Sequence, residues 1–170
     1  MGIFSTLNFE HLEDLFLQQL KSLYEGEQRM TTTLRKMSEK ASSDELAKAF
    51  TAHLSETKGQ VARLEKAFQL LGKKPERTTC EAIKGLIEDC EEVLEAKGSH
   101  DVIDAALIAA DQRVEHFEIA GYGTARNYAQ RLGHQEVAML LEESLKEEKE
   151  ADANLTAIAI SSVNVAAQAA

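Results

Sequence analysis

His53-Leu54-Ser55-Glu56-Thr57-Lys58 lies in the middle of a segment with helical spacing of its apolar residues. Leu46, Ala49 and Phe50 precede it, and Val61 and Leu64 follow it. A histidine and a glutamate three positions apart project from one face of a helix, and these flanking residues turn that face inward. Imidazole and carboxylate groups inside a helical core need partners, and a metal ion satisfies several at once. Alone the pair is weak, because an inward histidine is more often simply packed and His-x-x-Glu arises by chance in acidic helical chains. Its meaning depends on whether other segments supply matching ligands.

Working outward, the composition favours an all-α protein. One Pro, nine Gly and no Trp in 170 residues accompany many Ala, Leu, Glu and Lys, the residues that suit helices. The length predicts a single domain spanning 1–170, with a core over about 9–160 and a frayed tail over 161–170. A net charge of −10 argues against nucleic acid as a partner. No apolar run is long enough to span a bilayer. Met1-Gly2-Ile3-Phe4-Ser5 lacks the basic and apolar regions of a secretory signal. Gly2 and Thr6 fit a short myristoylation pattern that carries little weight. If Cys80 and Cys90 share a helix, they sit ~15 Å apart along it, too far for a disulfide. A reducing, cytoplasmic setting is therefore expected.

Taken in order, an arm over 1–8 leads to Asn8 as a possible N-cap. From Phe9 to about Lys40 the stripe runs Leu12, Phe16, Leu20, Leu23, Met30, Leu34, Met37, with Glu27 in the vacant slot. Ser43 or Asp44 caps the second helix, which runs to about Leu71 before Gly72 and Pro75. A shorter amphipathic helix carries Ile83, Leu86, Ile87, Cys90, Val93 and Leu94. Having no polar group in its stripe, it reads as a structural cover on a long connection. Ser99 or Asp101 caps the third long helix, whose inward stripe includes Leu107, Asp111, Val114 with Glu115, Glu118 and Tyr122. Gly121 and Gly123 each cost that helix ~1 kcal/mol against Ala, tolerable where helices approach closely. The turn at Leu132-Gly133-His134 makes the last long helix an antiparallel neighbour. Its stripe is Ala138, Leu141, Leu145, Glu148, Asp152, Leu155 and Ala159.

Four long helices thus place ionisable groups mid-stripe: Glu27, His53 with Glu56, Glu115 with Glu118, and Glu148 with Asp152. Lys58, Arg113, Arg126 and Lys149 lie off the stripes and do not neutralise them. So many carboxylates inside a bundle would repel and desolvate one another. Two cations turn that cost into ligation, the pattern of dinuclear carboxylate centres in ferritin-like four-helix bundles. The second helix reads His-x-x-Glu, reversed from the usual order, and the fourth has no histidine. The resulting oxygen-rich donor set suits iron first and manganese second.

The segments His53-Leu-Ser-Glu-Thr-Lys-Gly-Gln60 with Arg63-Leu-Glu65, Glu115-His-Phe-Glu-Ile-Ala-Gly-Tyr122, and Glu147-Glu-Lys149 with Ala151-Asp152 resemble the YciE/YciF family. Leu23-Tyr-Glu-Gly-Glu27 resembles its N-terminal motif. The resemblance spans about Phe9 to Ile160. It implies a ferritin-like four-helix bundle whose one long crossover carries the extra short helix, a homodimer, and a dinuclear metal centre in a bacterial stress response. The ligands it implies are Glu27, His53, Glu56, Glu115, Glu118 and Glu148, with Asp152 added by its stripe position. Glu147 competes with Glu148, which the heptad phase favours. Glu56 and Glu148 are assigned as bridges, and Tyr24 and Tyr122 as packing residues or donors beside ligands. His11, His100, His116 and His134 are expected at the surface. The expected chemistry is redox, with O₂ or peroxide as oxidant. A non-catalytic binding or assembly module with a structural metal is the alternative.

Overall fold

The computed structural model describes residues 8–170; residues 1–7 of the expected arm, Gly2 and Thr6 among them, lie outside the described residues. The stripes fold as α1 (Leu12–Lys40), α2 (Asp44–Leu70), the shorter α3 (Glu81–Glu95), α4 (His100–Arg131) and α5 (Gln135–Ile158). The described residues are all-helical, with no strand. No helix among them is long and apolar enough to cross a membrane.

Local chemistry sets most of the boundaries. Ser43 caps α2, its hydroxyl accepting from the Leu46 N–H at 3.4 Å. Gly72 (φ 67°) and Gly133 (φ 82°) end α2 and α4 in the left-handed conformation. The next N–H in each case, on Lys73 or His134, closes back onto Phe68 or Ala129. Asn8 is not the cap of α1. His11 holds that position, and the Asp14 carboxylate accepts from the backbone N–H groups of His11 (2.9 Å) and Glu10 (3.1 Å). Phe9 is 44% exposed, so burial gives the helix no reason to start earlier.

α1 packs on α2, α2 on α5, α5 on α4 and α4 on α1, which closes a four-helix ring. Asp104, near the start of α4, accepts from Ser42 N (2.9 Å), Ser42 Oγ (2.7 Å) and Ser43 N (2.8 Å). This buried carboxylate fastens the α1–α2 turn to the beginning of α4. At the opposite end the His134 ring, just after α4, stacks on Phe16 near the start of α1. So α4 runs antiparallel to α1 and parallel to α2, and residues 71–99 must cross the length of the molecule between them. α3 rides on this crossover and packs against α1 and α4. Buried Glu25 holds the irregular part of the crossover, accepting from Arg77 and, within α1, from Arg29, each at 2.5 Å.

The chain beyond residue 160 is helical where a frayed tail was expected. A π-helical turn (Ala159–Val163) leads into α6 (Asn164–Ala169). The wider turn shifts the helical phase, and Val163 joins the apolar core at 4% exposure. Ser162 Oγ donates to the Glu45 carboxylate at 3.2 Å. A sequence stripe drawn at constant phase misses this packing.

The apolar interior is in two pieces. One contains Met30, Leu34, Phe50, Leu107, Val114 and Leu155. The other contains Phe16, Leu20, Leu23, Leu64, Phe68 and Leu141. The polar positions of the stripes lie between them.

The two helical glycines of α4 differ. A Cβ on Gly121 would stand 2.8 Å from Leu23 Cδ2, whereas one on Gly123 would meet nothing within 4 Å. Gly121→Ala should therefore destabilise the protein by about 1–2 kcal/mol, because buried Leu23 must shift. Gly123→Ala should stabilise it by about 1 kcal/mol through helix propensity. Urea unfolding of the two variants would show shifts of opposite sign.

Candidate metal centre

Helical spacing brings the donors together. Asp111, Glu115, Glu118 and Tyr122 line one face of α4 at steps of four, three and four. Glu27 enters from α1, His53 and Gln60 from α2, and Glu148 from α5. They form two groups, His53–Asp111–Glu115 and Glu27–Glu118–Glu148, within each of which the possible ligand atoms lie inside 4.8 Å of one another. His53 links them. Its Nδ1 lies 3.0 Å from Glu115 Oε1 and 3.9 Å from Asp111 Oδ2, and its Nε2 lies 3.6 Å from Glu148 Oε2. Glu27, Asp111, Glu115 and Glu148 are fully buried, Glu118 is 1% exposed and His53 5%.

Neighbouring groups hold two of these carboxylates in place. Tyr122 Oη donates to Glu27 Oε1 at 2.5 Å, and Gln60 Nε2 donates to Glu148 Oε1. A Cβ on Gly26 would stand 3.2 Å from Glu118 Oε1, so the missing side chain leaves room for that carboxylate.

Burial first, and then neighbouring negative charge, push Glu27 and Glu118 well above the usual carboxylate range. Burial also raises Glu115 far, and Asp111, against the opposing pull of His53. Burial alone would lower His53, but Glu115, Asp111 and Glu148 around it push it well above its ordinary value. Glu148 runs the other way: burial raises it, yet Glu115, His53 and Gln60 together leave it lowered.

Despite these neighbours, many donor atoms have no hydrogen-bond partner. They include both His53 nitrogens, both oxygens of Asp111 and of Glu115, and one oxygen each of Glu27, Glu118 and Glu148. The close approach of His53 Nδ1 to Glu115 lacks hydrogen-bond geometry. Orphaned buried atoms of this kind cost ~1–3 kcal/mol each, more when charged. A cation within each group would coordinate them, so the donor set fits a pair of metal ions.

Two residues expected as ligands stand apart. Glu56 is exposed, at the edge of a cavity of about 210 Å³ that reaches His53 and Asp111. Three residues from His53 on a helix, it shares the general face without reaching the interior. Asp152 is half-buried outside both groups, accepting from Gln112 Nε2 at 2.9 Å and lying 3.5 Å from His116 Nε2. Glu148 rather than Glu147 faces inward. Arg63 holds Glu147 aside, its Nη1 donating to Glu147 Oε2 and to Ser144 Oγ, both at 2.8 Å. Asp111 was visible in the α4 stripe but absent from the expected ligand set. Its signal was its position four residues before Glu115. Gln60, seven residues after His53, carried no charge to mark it. Of the two tyrosines expected near ligands, Tyr122 reaches the site, whereas Tyr24 donates to Glu65 at 2.8 Å. His11, His100 and His116 are exposed, while His134 is half-buried on Phe16.

Residues 11–168 match the family model described as a domain of unknown function, DUF892. The chain belongs to this family. Within it, the chain is 43% identical to protein YciF of Escherichia coli K12 over 163 residues, covering 95% of this chain and 98% of that protein. The crystal structure of the E. coli stress protein YciF superposes with a TM-score of 0.87, covering 92% of this chain and 99% of that one. A Rhodopseudomonas palustris protein called YcfI, a putative structural protein, gives 0.83 at 40% identity, covering 91% and 98%. The resemblance to YciF seen in the four motifs therefore extends through the all-helical fold of this DUF892 chain.

Folding takes up protons at Glu27, Glu115 and Glu118, whose folded values are raised. The stability they contribute is fully present below the ordinary value of 4.5 and is lost as pH rises through the raised values. Asp111 and His53 act in the same direction, and Glu148 opposes them. Chelator-treated protein should accordingly have a higher melting temperature at about pH 6 than at about pH 8. Glu118→Gln should stabilise the chelator-treated protein at the higher pH by ~1–3 kcal/mol, since it removes a buried charge. Calorimetric scans at the two pH values check both outcomes.

Proposed function

We propose that this DUF892 chain is a dinuclear iron or manganese carboxylate protein that reacts with O₂ or peroxide in a cytoplasmic stress response. One observation carries the reading: six buried donors from four helices converge in two groups while most of their donor atoms lack hydrogen bonds. Five carboxylates and one imidazole suit hard, redox-active ions better than copper or structural zinc. The topology supports the same conclusion. A four-helix ring with one long crossover and facing carboxylates is the arrangement of ferritin-like proteins. The stress role rests on the description of the YciF relative.

When bound, the two ions would supply the electrons that reduce O₂ or peroxide. The chain's own residues do the remainder. His53, Asp111 and Glu115 hold one position, and Glu27, Glu118 and Glu148 hold the other. Tyr122 and Gln60 orient Glu27 and Glu148 through hydrogen bonds, which fixes the direction of the remaining lone pairs. The two apolar halves of the core exclude water from either side. A homodimer is proposed as the assembly, and light scattering tests it.

A second reading keeps the metal but not the turnover. Its support is the description of the R. palustris relative as a putative structural protein. Full metal loading without turnover of Fe(II), O₂ or peroxide would select it.

Protein produced without chelators should contain about two ions per chain by elemental analysis. His53→Ala should reduce this to about one, because the Glu27–Glu118–Glu148 group keeps all its oxygen ligands. Metal content well below one ion per chain, with no change in melting temperature on chelation, would refute the reading.

A further inference from the structure

We infer that cations reach the buried centre through the cavity between α2 and α5, with Glu56 and Glu150 at its mouth and His53 and Asp111 at its floor. The inference rests on the metal reading above. The cavity measures about 210 Å³, and its walls include Ala52 and Leu155. Both floor residues are more than nine-tenths buried, and their imidazole nitrogens and carboxylate oxygens have no hydrogen-bond partner. They are unpaired donors facing an open space. Four further cavities on the protein are lined by none of the six donors.

Size and charge agree with this role. At ~30 Å³ per water the cavity accommodates an ion with about six waters. A divalent ion inside it can therefore keep its water until it meets His53 and Asp111. Glu56 and Glu150 are exposed carboxylates, which raise the local concentration of cations and repel anions. Glu56 thus acts in passage, where its sequence position had suggested a bridging ligand. The route also sets an order of filling. Two members of the first group, His53 and Asp111, line the cavity, whereas no member of the Glu27–Glu118–Glu148 group does.

Cobalt(II) added to chelator-treated protein tests the route, with the growth of its visible absorption followed by stopped flow. Ala52→Phe places a ring in the cavity wall at an exposed position and should slow uptake more than about tenfold while the final occupancy stays the same. Glu150→Gln should slow uptake about threefold at low ionic strength, an effect that disappears in high salt. Ala120→Phe, in a different cavity near Cys80, should leave the rate unchanged. Wild-type rates in Ala52→Phe with full final occupancy would overturn the route but leave the metal centre standing. Reduced final occupancy in Glu56→Gln would make Glu56 a resident ligand and overturn its place at the mouth. Absence of cobalt binding in the unmutated protein would refute the metal reading itself.

Discussion

A layer of buried charge between two apolar half-cores is the constraint on which this structure depends. Helix propensity and apolar stripes are sufficient for a four-helix bundle. They do not explain why every long helix interrupts its stripe at the same height. Five carboxylates packed around one imidazole, largely without hydrogen bonds, oppose folding locally. The apolar packing above and below them must outweigh that opposition. The layer survives because each helix continues through it into a well-packed region on both sides.

Several other features position the layer. Asp104 ties the α1–α2 turn to the start of α4 and so aligns the helices at one end. Gly121 lets α4 approach Leu23 of α1, close to the point where Tyr122 meets Glu27. Glu25 grips Arg77 of the crossover from the opposite side of α1. Two glutamates two residues apart therefore do different work: one anchors the connection and the other enters the charged layer.

The fold was largely legible because the stripes of α1, α2, α4 and α5 are long and punctuated by Gly72 and Gly133. Most of the candidate site was legible for the same reason: a charged residue at a core phase is conspicuous. Expectation and structure part where phase alone does not decide. Glu56 and Asp152 occupy plausible stripe positions, yet the finite width of a buried helix face leaves them outside. Asp111 stood in the α4 stripe one turn before Glu115, and its neighbours across the bundle place it in the donor set. Gln60 acts by hydrogen bonding, which periodicity does not register, whereas Tyr122 was marked by its place in the α4 stripe one turn from Glu118. The π-helical turn defeated the reading of the C-terminal segment, since one extra residue per turn changes which side chains face inward.

The donors also have a topological consequence. Glu27 and Glu148 are more than a hundred residues apart in the chain but belong to one group. On the metal reading, a cation there closes a loop of more than two thirds of the chain. Such a cross-link restricts the unfolded chain much as a long-range disulfide does, while remaining reversible and dependent on ion supply. A protein with two free cysteines would thereby have a staple set by metal availability and not by the thiol redox state of its surroundings.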